Sequence, residues 1–285
     1  MADHTSEGFD DDPRNASTGV RLAVAAGILF LLIALAAWVV FGFLGTSPQP
    51  QQSVTVLQQG PATGPVPPPS PVQSALPQIP LPPGMTRIFD GSTLAGWISV
   101  PPVTATLRPW TVRDGALASN GLRRGVLYTQ SDFANYRIIF DVRHLSGKPD
   151  HPPCVLIFCT RPPPGRAGPD ALAGVQFQPS GGHWDYRPGH NNGGRNFFTL
   201  VHRPRLDVHQ WSRVEILVDA LRGTARMAVA QPVGSKAVEV LDFHDPSGGK
   251  VGPFAIQMHN PGLHDEYANI AVEVNPAVND LITTK

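Results

Sequence analysis

After Arg87 the chain alternates apolar and polar side chains in short runs, and this period of two constrains the fold more than any other feature. "YRIIFDV" (136–142) sets Tyr136, Ile138, Phe140 and Val142 on one face. "RVEILVD" (213–219) does so with Val214, Ile216 and Val218, "FAIQMH" (254–259) with Phe254, Ile256 and Met258, and "YANIAVEV" (267–274) with Ile270, Val272 and Val274. Gly, Pro and Asp turns separate the runs, and no stretch carries a sustained helical period with caps. Many short strands at this spacing predict an all-β sandwich of about 190 residues. Asp90-Gly91 and Asp114-Gly115 are turn dipeptides, and Trp97 and Trp110 read as core rather than as ligand platforms, since large aromatics dominate sandwich cores.

The N-terminal third has another texture. "LAVAAGILFLLIALAAWVVFGFLG" (22–45) carries no charge, and a run of this length spans a bilayer with some tilt. The acidic stretch before it and its length argue for an uncleaved anchor rather than a signal peptide, although "ALAA" (34–37) is a weak cleavage match. Arg14 and Arg21 precede the run, and no Lys or Arg follows until Arg87. The positive-inside rule then predicts a single-pass membrane protein with a cytoplasmic N-terminus and a periplasmic or extracellular C-terminal domain. The sequon at Asn15 falls on the cytoplasmic side and is discounted.

The expected organisation is a cytoplasmic tail (1–20), a transmembrane helix (21–45), a Pro/Gln-rich disordered linker (46–85), the β domain (86–276) and a short tail (277–285). At about 3.1 Å per residue the linker reaches on the order of 100 Å. With 22 Lys and Arg against 22 Asp and Glu and no long basic run, the chain has no nucleic-acid footprint. Cys154 and Cys159, the two cysteines, lie in "CVLIFC". An odd separation along a strand puts them on opposite faces, so they are expected to be buried thiols that cannot pair.

Several segments in order carry a family resemblance: "IFDGSTLAGW" (88–97), "WTVRDGALAS" (110–119), "LYTQSDFANYRIIFDVR" (127–143), "AGVQFQ" (173–178), "HQWSRVEILVD" (209–219) and "GPFAIQMHN" (252–260). Together they resemble the 3-keto-disaccharide hydrolase domain family. The resemblance implies a concanavalin-like jelly roll, two curved antiparallel sheets with a concave carbohydrate-facing surface, and a hydrolase acting on glycosidic bonds of 3-keto sugars. The chain departs from the family where a Glu is often found and Gln176 stands. A carboxamide does not titrate and cannot be a general base. "HPPCVLIFCT" likewise replaces an Asn-Ser-Gly turn. A non-catalytic carbohydrate- or envelope-binding module on the same fold is the alternative.

Alternation leaves Gln176 and Gln178 on one non-core face and Gln257 and His259 on another. If both strands lie in the concave sheet, these residues form a floor of amides with one imidazole, suited to a saccharide. Otherwise they are solvated residues of an ordinary exposed face. "GGHWDYRPGHNNGGRN" (181–196) follows "QFQ" directly and contains no aliphatic residue. Its glycines let the backbone approach a ligand. Trp184 or Tyr186 could stack on a sugar ring, and Asn191, Asn192 and Arg195 could bond hydroxyls. The other reading is a loop that packs its own aromatics.

A carbonyl at C3 acidifies the C2 hydrogen, so a base can remove it and expel the glycosidic oxygen, with water adding afterwards. The scheme implied by the resemblance needs a base, an acid and an enolate stabiliser. His183, His190 and His259 are the imidazoles in reach of neutral pH, Asp185 is the loop's carboxylate, and Arg195 could face the enolate. No cofactor is expected. A divalent ion is conceivable, but neither His183 with Asp185 nor His264, Asp265 and Glu266 matches a tight metal signature. His202, His209 and His244 read as surface or turn residues. Nucleophile-elbow, P-loop and dinucleotide signatures are lacking.

Overall fold

A computed structural model describes residues 76–77, 79–147, 153–162, 172–190 and 197–285. The apolar run 22–45 lies outside them, and among the described residues no helix is long and apolar enough to cross a membrane.

The described residues form fifteen strands and no helix: β1 (Thr86–Arg87), β2 (Trp97–Val100), β3 (Trp110–Arg113), β4 (Ala116–Ser119), β5 (Gly125–Thr129), β6 (Asn135–Ser146), β7 (Cys154–Thr160), β8 (Ala173–Phe177), β9 (His183–Asp185), β10 (Phe198–Leu200), β11 (Ser212–Asp219), β12 (Thr224–Ala230), β13 (Val238–His244), β14 (Ala255–Met258) and β15 (His264–Val274). One sheet runs β10-β13-β12-β11-β6-β15-β4-β3, with β1 added on β15, and the other runs β2-β5-β14-β7-β8-β9. Every pairing is antiparallel. The expected all-β architecture of two antiparallel sheets is therefore present.

The core lies between the sheets, where the alternating runs predicted it. Tyr136, Ile138, Phe140 and Val142 from β6 and Val214, Ile216 and Val218 from β11 meet Phe254, Ile256 and Met258 from the opposing sheet. Phe254 packs against Trp97 edge-on at 6.4 Å and against Phe140 at 5.9 Å. Trp97 and Trp110 are both buried. Asp114 and Gly115 take φ of 51° and 80° to close the β3–β4 hairpin, the primed geometry a two-residue hairpin loop prefers.

Register shifts interrupt the period of two in several strands, among them β7 and β15. In β7, Phe158 has φ 52° and the register with β8 shifts between Ile157 and Thr160. Phe158 drops into the core, and its ring fills the space a Cβ on Gly249 would need. Cys159 thus joins Leu156 on the outer face, where Cys154 also lies. The expectation of opposite faces is corrected: an extra residue in the strand restores the parity. Both thiols are free and buried. In β15, Asn269 has φ 50° and the register with β6 shifts between Ala268 and Ala271. Tyr267, Ile270 and Val272 all reach the core, while Val274 at the strand's end is exposed, unlike its expected partners.

The outer face of the larger sheet carries buried ion pairs. Arg137 bonds Glu215 at 2.8 Å and also meets Glu273, Arg213 bonds Asp141 at 2.7 and 2.9 Å, and Arg143 bonds Glu266. Both flanks of the expected domain cover them. Pro77 carbonyl accepts from Asn269, and Ile79 carbonyl from Arg213. The Glu215 carboxylate accepts from the amides of Ile282 and Thr283 and from the Thr283 hydroxyl, with Leu281 fully buried beside it. The domain's packing thus extends beyond 86–276 in both directions.

Candidate functional site

The outer face of the smaller sheet assembles part of the expected floor. Gln176 on β8 lies opposite Leu156 on β7, which lies opposite Ala255 on β14. Directly opposed antiparallel residues share a face, so Gln176 and Gln257 come together there. Gln176 Nε2 donates to Gln257 Oε1 at 3.2 Å, and Cys154 Sγ lies 3.6 Å from the same oxygen. Both carboxamides are buried, so this mutual bond satisfies groups that would otherwise be costly to bury. Burial raises the Cys154 thiol to about 12, with the Gln176 contact opposing and Asp265 adding to the rise. It stays a neutral thiol at physiological pH.

Trp184 pairs with Gln176 across β8–β9 and so stands on the same face, 39% exposed. Tyr186, whose amide donates to Gly174 carbonyl, follows two residues on. Its hydroxyl lies 3.3 Å from His259 Nδ1, and its ring centroid lies 6.1 Å from that of Trp184. Trp184, Tyr186 and His259 therefore rim the buried amide pair. Toward β5 and β2 the same face turns apolar through Val126, Tyr128 and Val100.

The remaining expected residues lie elsewhere. Gln178 has left the strand for the β8–β9 turn, where its amide donates to Gly182 carbonyl and its side chain occupies the space a Cβ on Gly182 would take. His183 pairs with Phe177 on the core side and stacks on Phe198 at 4.2 Å. Asp185 pairs with Val175, also on the core side, and is fully buried. Its oxygens accept from Arg187 Nε at 3.0 Å and Nη2 at 2.8 Å, and His190 Nδ1 lies 3.3 Å away. His190 stacks on Phe197 at 5.3 Å. Asn191, Asn192 and Arg195 lie outside the described residues. Strand alternation accounts for this division: in "HWDYR" the aromatics point outward and the titratable side chains inward.

Two groupings escaped sequence reasoning. Arg187 also bonds Asp245, at 2.6 Å, joining β9's end to the turn after β13. His144 Nδ1 lies 2.6 Å from Asp265 Oδ1, both buried between β6 and β15. Burial raises the Asp265 carboxyl even though the His144 bond opposes it. Partners so far apart in sequence leave no local signal. Among the described residues no three His, Cys, Asp or Glu side chains are grouped to hold an ion, since Arg143 and Arg113 engage Glu266 and His144 engages Asp265.

Fold and site define an all-β sandwich domain with an aromatic, amide and imidazole surface on one sheet. The chain belongs to the family of 3-keto-alpha-glucoside-1,2-lyase-like domains, whose model matches residues 84–273. Among solved structures it is similar to a Parabacteroides distasonis ATCC 8503 protein described as a "putative glycosyl hydrolase", at 13% identity and TM-score 0.48, covering 68% of this chain and 95% of that one. It is similar to carbohydrate binding module CBM66 from Bacillus subtilis, at 11% identity and TM-score 0.44, covering 64% and 98%. The exoplasmic/lumenal domain of VIP36 in its Ca2+/Man-bound form matches at 12% identity and TM-score 0.42, covering 67% and 87%. No curated protein matches the chain.

Proposed function

We propose that this domain cleaves glycosidic bonds of 3-keto sugars by elimination and hydration on the outer face of the smaller sheet. The observation that carries the reading is the Tyr186–His259 contact at the rim of the Gln176–Gln257 pair, beside exposed Trp184. Trp184 offers a ring to the apolar face of a sugar. With the tautomer that bears its proton on Nδ1, His259 donates to the Tyr186 oxygen and keeps a basic Nε2. Nε2 takes the C2 proton, the C1–O bond breaks, and the Tyr186 hydroxyl protonates the departing oxygen while receiving the Nδ1 proton. Water then adds across the resulting C1–C2 double bond. The ring ends in the opposite tautomer, so the proton count balances. Family membership supports the substrate class, and the paired hydroxyl and imidazole support proton transfer.

A non-catalytic saccharide-binding module is the second reading, favoured by Gln176: it stands where the family often has a carboxylate and is spent on another amide. In either case the chain is held to a membrane through residues 22–45, with the β domain outside the cytoplasm.

His259→Ala separates the two readings. Release of the aglycone from 3-keto-glucosides, with and without EDTA, is measured beside binding of the same sugars by calorimetry. An enzyme loses turnover and keeps most of its affinity. A binding module shows no turnover in the unsubstituted protein, and the substitution changes affinity alone.

A further inference from the structure

We propose that Arg187 is a positioning residue that sets Tyr186 against His259 by clamping the two sheets together beneath the site. The inference rests on the reading of the rim given above. Arg187 lies buried on the core side of the strand that displays Trp184 and Tyr186 outward. Its Nε and Nη2 bond both oxygens of Asp185 at 3.0 and 2.8 Å, and its Nη1 bonds Asp245 Oδ2 at 2.6 Å. Asp185 Oδ1 also accepts the Arg187 amide at 3.0 Å.

Tyr186 is thus the single residue between the two partners of a bidentate ion pair. Its own amide is fixed to Gly174. The guanidinium stands over Phe243 at 5.3 Å, a core side chain of β13. Asp185 belongs to the edge of the smaller sheet, and Asp245 follows a strand of the larger one. Asp245 is held in turn by the Ser247 amide at 2.8 Å and hydroxyl at 2.7 Å. One planar cation thereby ties the backbone carrying Tyr186 to the opposite sheet. Only a guanidinium can serve two carboxylates with this fork, since an ammonium is a point donor on a flexible stem. The loop's one described arginine, its aspartate and the distant Asp245 all find their use here, and Asp185 is a partner of the clamp.

The test uses the full chain in detergent micelles. Asp245→Asn is the mild variant, since it keeps shape and a turn acceptor. Arg187→Lys keeps the charge and loses the fork. Both are compared with Tyr186→Phe by the 15N shift of the His259 ring nitrogen that faces Tyr186, read on unliganded protein, and by the kcat and KM of aglycone release. The clamp predicts that Asp245→Asn moves the His259 shift toward its Tyr186→Phe value. It also predicts a fall in kcat of about tenfold with KM nearly unchanged, because a small misplacement acts on the reacting geometry. Arg187→Lys should do the same and not restore it. A His259 shift identical to the unsubstituted protein in a folded Asp245→Asn variant overturns the proposal. If the unsubstituted protein releases no aglycone, the enzymatic reading fails, while the ring-nitrogen shift still decides the clamp.

Discussion

The Tyr186 hydroxyl and His259 Nδ1 lie 3.3 Å apart although 73 positions separate them in sequence. Tyr186 extends from the edge strand β9 and His259 from the end of β14, with β7 and β8 between. The contact exists only because β14 is threaded into the middle of the smaller sheet.

Tyr186→Phe keeps the ring and removes the proton-carrying oxygen. Turnover of a 3-keto-glucoside should fall by about 10²- to 10³-fold, the range for losing one general acid–base group, with affinity nearly unchanged. Steady-state release kinetics and calorimetry on one preparation check this. A variant with full turnover assigns the proton transfer elsewhere.

Trp184→Ala should weaken saccharide binding by about tenfold, or about 1.4 kcal/mol, through the lost ring face. Its partial exposure keeps the stability cost to about 0.5 kcal/mol, as for surface substitutions. Calorimetric titration and thermal melting separate the two effects. Equal affinity in the variant would remove Trp184 from the site.

The clamp carries a pH signature. Burial by itself raises the Asp245 carboxyl, but the Ser247 hydroxyl and amide and the Arg187 guanidinium outweigh it and hold it below the ordinary value. A carboxyl lowered in the folded state contributes stability that is present above its unfolded pKa and lost as pH falls through the folded one. Asp245→Asn should therefore melt lower than the unsubstituted protein at neutral pH, and the gap should close below about pH 4. A constant gap across melts from neutral to strongly acid pH contradicts this assignment.

Burial pushes the Cys154 thiol up to about 12 and the Cys159 thiol further. Neither should react with iodoacetamide at about pH 8 in the native protein, since the thiolate is the nucleophile. Both should label once urea unfolds the chain. Mass spectrometry of native and unfolded samples reads the outcome, and rapid native labelling would show that the smaller sheet's outer face opens.

Much of the fold was legible because burial on one face forces a period of two. Ile138, Phe140, Ile216, Ile256 and Met258 all sit where alternation put them. The misplacement of Cys159 falls at a bulge: Phe158 takes a left-handed φ that shifts the parity of the residues after it, and nothing local in "LIFCT" announces it. In the site, parity put Gln176 and Gln257 each on a non-core face, and their meeting depended on β8 and β14 sharing a sheet with β7 alone between them. Extending parity past the strand end failed for Gln178, and reading residues 181–196 without alternation hid that the aromatics and the titratable groups of "HWDYR" face opposite ways. Asp245 as a partner of Arg187 was invisible, because sheet-to-sheet contacts depend on topology that local pattern does not encode.

The most direct measurement is release of the aglycone from a 3-keto-glucoside in D2O, with deuterium at C2 of the sugar product read by NMR against an enzyme-free control. Elimination and hydration through Tyr186 and His259 predict one deuterium at C2 for each bond cleaved, with both release and labelling lost in His259→Ala. Release with C2 still protiated, or unchanged labelling in His259→Ala, contradicts the account.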